Sequence, residues 1–99
     1  MNVIVNLSIF PMDKPGQSLS PFVARVLDVI RDSGLRHELG PMGTCIEGEW
    51  AEVMAVVDAC YRELESDSNR IYVSLNADCR KGRDNGMDAK VRSVQDKLR

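Results

Sequence analysis

The stretch Gly40-Pro41-Met42-Gly43-Thr44-Cys45-Ile46-Glu47-Gly48-Glu49 decides how this chain is put together. Glycine lets neighbouring backbone come close, and proline fixes φ and removes a donor, so Gly40 to Gly43 reads as a tight turn. On its N-terminal side, Leu35 to Leu39 alternates weakly and reads as a strand; on its C-terminal side, Thr44 to Gly48 reads as another, carrying Ile46. Glu49 then opens a helical pattern at once. The middle of the chain is thus strand, turn, strand, helix, and the turn with Thr44 and Glu47 beside it suits the wall of a small pocket.

Upstream, Val3, Val5, Leu7 and Ile9 alternate with Asn2, Ile4, Asn6, Ser8 and Phe10, the period of a strand. Pro11 and the turn-rich Met12 to Gln17 end it. Ser20 before Pro21 reads as an N-cap with proline at the first helical position. Phe22, Val23, Val26, Leu27 and Ile30 then share a helical stripe, and Gly34 sits where a left-handed C-terminal residue belongs.

Downstream, Trp50, Val53, Met54, Val57, Tyr61 and Leu64 lie on one face of a second helix, with Glu49 and Glu52 in the first turn, where the helix dipole favours negative charge. Ser66 to Asn69 stops it. Ile71, Val73, Leu75 and Ala77 alternate with Tyr72, Ser74, Asn76 and Asp78 as a fourth strand. A polar loop from Arg80 to Gly86 leads to a terminal helix with Met87, Val91, Val94 and Leu98 on one side. The order is β-α-β-β-α-β plus a C-terminal helix, with no linker or repeat, so residues 1–99 form one domain. Right-handed crossovers around a hairpin predict a ferredoxin-like α+β fold: a four-stranded antiparallel sheet with two helices on one face.

Composition narrows the function. Thirteen Lys and Arg against fifteen Asp and Glu give a net charge of −2, without the one-sided basic field that phosphate backbones require, which argues against nucleic acid. No apolar run approaches the length that spans a bilayer, and Met1 to Asn6 reads as a strand rather than a signal peptide. Cys45, Cys60 and Cys79 form no Cys-x-x-Cys pair and His37 is the only histidine, so no closed zinc site is expected. Unpaired thiols suit a reducing cytoplasm.

In this fold the first and fourth strands are expected to be the central pair. Their apolar sides (Val3 to Ile9; Ile71 to Ala77) belong under the helices. Their other sides set Ile4, Asn6, Ser8 and Phe10 beside Tyr72, Ser74, Asn76 and Asp78. That second face is too apolar for bare solvent and too polar for a dry core. It suits cover by another subunit, with a small polar ligand at its edge.

Asn6-x-Ser8-x-x-Pro11, Pro41-Met42-Gly43-Thr44-x-Ile46-Glu47-Gly48, Asp78-x-Arg80 and Lys90-Val91-x-Ser93-Val94 together resemble the small thiamine-binding protein family (YkoF-like), nearly end to end. The chain departs from its pattern at Asn76 and Asp78-Cys79, where a basic residue and paired acids are usual. The resemblance implies a cytoplasmic binding protein that associates through sheet faces into dimers or tetramers and takes thiamine or its hydroxymethylpyrimidine half. No cofactor is expected, with thiamine or hydroxymethylpyrimidine as the possible ligand.

An aminopyrimidine needs an acceptor for its amino group, a donor for a ring nitrogen and a soft wall for its face. Ser8, Thr44, Ser74 and Asn76, with Asn6 beside them, offer hydroxyl and amide partners, and Glu47 an anionic acceptor. Phe10, Met42 and Trp50 offer faces, and the resemblance adds Arg80. Each has a plainer role open to it: Thr44 as a turn hydroxyl, Glu47 as a solvated carboxylate, Trp50 as core, Arg80 as a partner for Asp78.

Catalytic sets are missing from the sequence. No Gly-x-x-x-x-Gly-Lys-Ser/Thr run exists, and the loop Pro11 to Gln17 carries Lys14 but no arginine, unlike the phosphate cradle of acylphosphatases. Cys45-Ile46-Glu47 lacks the aromatics of an RNA-binding third strand. A non-enzymatic binding protein is the expectation; the alternative is an oligomeric regulatory or assembly module with no physiological small ligand.

Overall fold

The computed structural model describes residues Met1–Arg99. In chain order it contains β1 (Asn2–Pro11), α1 (Ser20–Asp32), β2 (Arg36–Leu39), β3 (Thr44–Glu49), α2 (Trp50–Glu65), β4 (Ile71–Arg80) and α3 (Gly86–Gln95). All strand pairs are antiparallel and the sheet order is β2-β3-β1-β4. This is the ferredoxin-like arrangement, with α1 and α2 packed on one face. No helix is long and apolar enough to cross a membrane.

The order corrects one expectation: the central strands are β1 and β3, and β4 is an edge. A crossover of the length of α2 carries the chain from β3 past β1, so β4 lands outside it. Its pairing with β1 is nonetheless the longest in the sheet, running from Asn2↔Arg80 to Pro11↔Ile71.

The strand periods place the core. Val3, Val5, Leu7 and Ile9 point under the helices, with Ile46 opposite Val5. Phe22, Val26 and Ile30 of α1 and Val53, Val56, Val57, Cys60 and Leu64 of α2 close over them. Burying each such side chain contributes roughly 1.5–3 kcal/mol. Burial pushes the Cys60 thiol up to about 11, so it behaves as a small apolar group.

Three local readings shift. The N-cap of α1 is Leu19 rather than Ser20, and the Ser18 hydroxyl accepts from the Ser20 N–H at 3.2 Å. The buried stripe of α2 runs through Val56 and Cys60, leaving Trp50 and Tyr61 on its flank. On β4 only Ile71 packs against the core. Val73 and Leu75, expected under the helices, are 42% and 37% exposed because the helix layer stops short of the edge strand. Gly34 has φ +76°, as a left-handed helix terminus requires.

Helix α3 lies on the opposite side of the sheet from α1 and α2. The Ile4↔Glu47 pair points to that open face, and Glu47 meets the first turn of α3 there. Only Gly86 and Met87 of α3 are buried, and Val91 and Val94 remain exposed.

Candidate ligand site

The hairpin makes the site. β3 begins at Thr44, opposite Leu7, whereas β1 continues to Pro11. Beyond Leu7, the backbone groups of Ser8 to Phe10 that point toward β3 therefore have no strand beside them. The turn Gly40–Gly43, closed by Gly40 N–H donating to the Gly43 carbonyl at 2.9 Å, rises across this notch. Leu19, the N-cap of α1, and Val23 and Val26 within it wall the far side. The result is a half-open cleft of about 210 Å³, lined also by Leu7, Ile9, Leu39, Pro41, Met42 and Thr44.

Gly43 permits the geometry. A Cβ there would meet Asn6 Oδ1 at 2.8 Å and the Leu7 carbonyl oxygen at 3.0 Å, so a bare backbone is needed for the turn to lie against β1. Thr44 is buried on the helix side of the sheet, opposite Leu7, with its side chain at the base of the cleft. Met42 stands at the rim, 85% exposed.

Ser8, Phe10, Met42 and Thr44 thus come together around one notch. Asn6, Ser74 and Asn76 do not line it; they lie on the open face, where Asn6 faces Asn76, Ser8 faces Ser74, and Phe10 stacks on Tyr72 with ring centroids 5.3 Å apart. Asn6 Oδ1 has a weak contact from Cys45 Sγ at 3.8 Å.

Glu47, Trp50 and Arg80 are elsewhere. They sit at the opposite end of the sheet, where β1 begins and α2 starts. Glu47 is buried and already occupied: it accepts from Asn2 Nδ2 at 2.9 Å and from the backbone N–H groups of Gly86 and Met87. Burial raises its pKa, but those three donors and the nearby Arg83 charge more than reverse this, and the carboxyl lies below its usual range. It is a helix cap supplied by a strand, so the expected free acceptor for a ligand is corrected. Asp78 pairs with Arg83 at 2.8 Å and Lys90 at 2.7 Å, not with Arg80; these bonds lower it to about 2.

Sequence reasoning did not pick out Leu19, Val23 and Leu39 as cleft walls. Their apolar character was visible, but a helix start and a hairpin meet there only through the tertiary fold. A second hollow, of about 330 Å³, separates α3 from the hairpin turn and is lined by Ile4, Cys45, Met87 and Val91.

Comparison with known proteins agrees with this architecture. The family described as thiamine-binding protein matches residues 5–95. A UPF0045 protein of Synechocystis sp. is 40% identical over 96 residues, covering 96% of this chain and 78% of the relative. One from Methanothermobacter thermautotrophicus is 33% identical over 98 residues, covering 97% and 99%. Among solved structures, a protein of Methanocaldococcus jannaschii superposes with a TM-score of 0.86 at 29% identity, covering 95% of this chain and 96% of that one. A Thermotoga maritima protein provisionally assigned to thiamine biosynthesis or salvage gives a TM-score of 0.82 at 29% identity, covering 95% and 99%.

Proposed function

Because the chain belongs to the thiamine-binding protein family, we propose that it is a non-enzymatic cytoplasmic binding protein for thiamine or its hydroxymethylpyrimidine half, working as a homo-oligomer through its open sheet face. The reading rests chiefly on the notch beside Ser8 to Phe10. A strand edge presents alternating N–H donors and carbonyl acceptors. An aminopyrimidine presents the complement, an amino donor next to a ring-nitrogen acceptor, and can add to that edge much as a short peptide would. Leu19, Val23, Leu39 and Met42 supply the soft walls for its faces, and Thr44 a hydroxyl at the base.

Size supports the pyrimidine half as the inserted part. At about 210 Å³ the cleft is smaller than the roughly 300–1,000 Å³ sites that enclose drug-sized ligands. It suits one ring, and the thiazolium of whole thiamine would extend past Met42 toward Phe10, where an aromatic face favours a cation by about 0.5–2 kcal/mol.

Calorimetric titration tests the reading. Thiamine and hydroxymethylpyrimidine are each expected to bind saturably, one per chain, and Thr44→Val is expected to weaken both at least tenfold while leaving the oligomer mass unchanged. No measurable binding of either compound would favour the assembly-module reading, which the apolar Phe10–Tyr72 pair on the open face already suits. Equal loss of binding and assembly in Thr44→Val would count against a discrete pocket.

A further inference from the structure

Thiamine and hydroxymethylpyrimidine each carry a primary alcohol, and the phosphate ester of such an alcohol bears a charge of about −1.5 to −2 at neutral pH. Taking that charge out of water is costly unless cations or converging N–H donors replace its hydration. The notch beside Ser8 to Phe10 offers neither. None of the residues that line it is charged. The cations on the elements around it are all engaged elsewhere: Lys14 donates to the Asp67 carbonyl, Arg25 to Glu63 and Asp67, Arg31 to Asp28, and Arg36 to Asp88. Helix α1 begins at the notch, and a helix N-terminus is a common phosphate cradle. Here its donors are taken or missing. The Ser20 N–H goes to the Ser18 hydroxyl at 3.2 Å, Pro21 has none, and the Phe22 and Val23 N–H groups both go to the Leu19 carbonyl at 3.0 Å. The Gly40 N–H is likewise held by the Gly43 carbonyl. Along the free edge of β1, N–H groups alternate with carbonyl oxygens, unlike the successive N–H groups of a phosphate-binding nest.

We propose that the notch selects the free alcohol over its phosphate ester, so that the protein holds the unphosphorylated ligand and does not retain the phosphorylated one. The inference rests on the ligand reading above and adds to it the chemical state of the ligand. The same features serve both sides of the choice. Carbonyl oxygens on the β1 edge that accept from an amino group repel a phosphate. The apolar walls Leu19, Val23, Leu39 and Met42, which suit a ring, leave an ester oxygen with no partner. A neutral hydroxyl loses little in the same place, because the Thr44 and Ser8 hydroxyls and the strand carbonyls can each bond to it.

Calorimetric titration of the full chain with four compounds tests it: hydroxymethylpyrimidine, thiamine, and the monophosphate ester of each. Each alcohol is expected to bind at least tenfold more tightly than its ester. A cation placed at the rim should narrow that gap. Leu39→Lys, at a position 56% exposed, is expected to shift the alcohol-to-ester affinity ratio at least fivefold toward the ester. If that variant does not fold, Met42→Lys, at a position 85% exposed in the turn, decides with the same expected shift. Esters that bind as tightly as the alcohols would overturn the selection and leave the ligand reading standing. So would a folded lysine variant with an unchanged ratio, since the discrimination would then not come from the missing cation. Binding of none of the four would defeat the ligand reading, and the selection with it.

Discussion

At the scale of single residues, Glu47 ties α3 to the sheet through a contact that its own neighbours in sequence do not announce. Its neighbours in sequence are ordinary strand residues, and the N–H groups it accepts from lie 39 and 40 residues away. No local pattern announces a carboxylate reserved for a distant helix. Removing its charge while keeping its shape, in Glu47→Gln, sets an amide N–H against the donors of Gly86, Met87 and Asn2. This is expected to cost about 1–3 kcal/mol in urea unfolding and to loosen α3 first, seen as faster amide exchange at Met87. Acid should act on the same contact. The folded-state pKa values of Glu47 and Asp78 both lie below their unfolded values, so their stabilisation is complete above about pH 4–5. It is lost as pH falls through the folded values, for Asp78 about 2. Urea midpoints measured from pH 5 to pH 2 are therefore expected to fall, less steeply in Glu47→Gln than in the wild type. Identical slopes would show that Glu47 carries no such linkage. Added salt should weaken the exposed Asp78 pairs and leave the buried Glu47 contact largely intact.

Among the elements, the hairpin was readable because its glycines and proline mark it and because strands of period 2 flank it. The first helix stripe was readable for the same reason, since Phe22, Val26 and Ile30 are spaced by four. The second was right at Val53, Val57 and Leu64 but off by part of a turn elsewhere: Trp50 and Tyr61 are large enough to draw the apparent stripe toward themselves, yet Val56 and Cys60 complete the covered face. β4 was misplaced because alternation states which residues share a side, not whether a helix lies above them. The hairpin yields a contrast of two glycines. In Gly43→Ala the new methyl meets Asn6 Oδ1 and the Leu7 carbonyl, lifting the turn off β1, so both melting temperature and ligand affinity are expected to drop. In Gly34→Ala nothing lies within 4 Å, and the φ of +76° alone is strained, at about 1–2 kcal/mol. That variant is expected to melt earlier and bind normally; a comparable loss of affinity in both would mean that general destabilisation, not the notch, governs binding.

At the scale of the whole molecule, the chain has an apolar interior shared by β1, β3, α1 and α2, and apolar surfaces that it does not cover itself, among them the outer side of α3 with Val91 and Val94. The Phe10–Tyr72 side of the sheet and the Val73–Leu75 row of β4 are others. Tyr72→Ser is expected to weaken association through the open face, so light scattering should show a smaller assembly than that of the wild type. The ligand notch lies on the β3 side of β1 and Tyr72 does not line it, so binding should survive that change. Amide resonances of a 15N-labelled chain, followed as hydroxymethylpyrimidine is added, probe the notch itself. Shifts are expected to concentrate at Ser8 to Phe10, Leu19 and Leu39 to Thr44; shifts centred on α3 and the start of β1, or none at saturating ligand, would rule out binding in the notch.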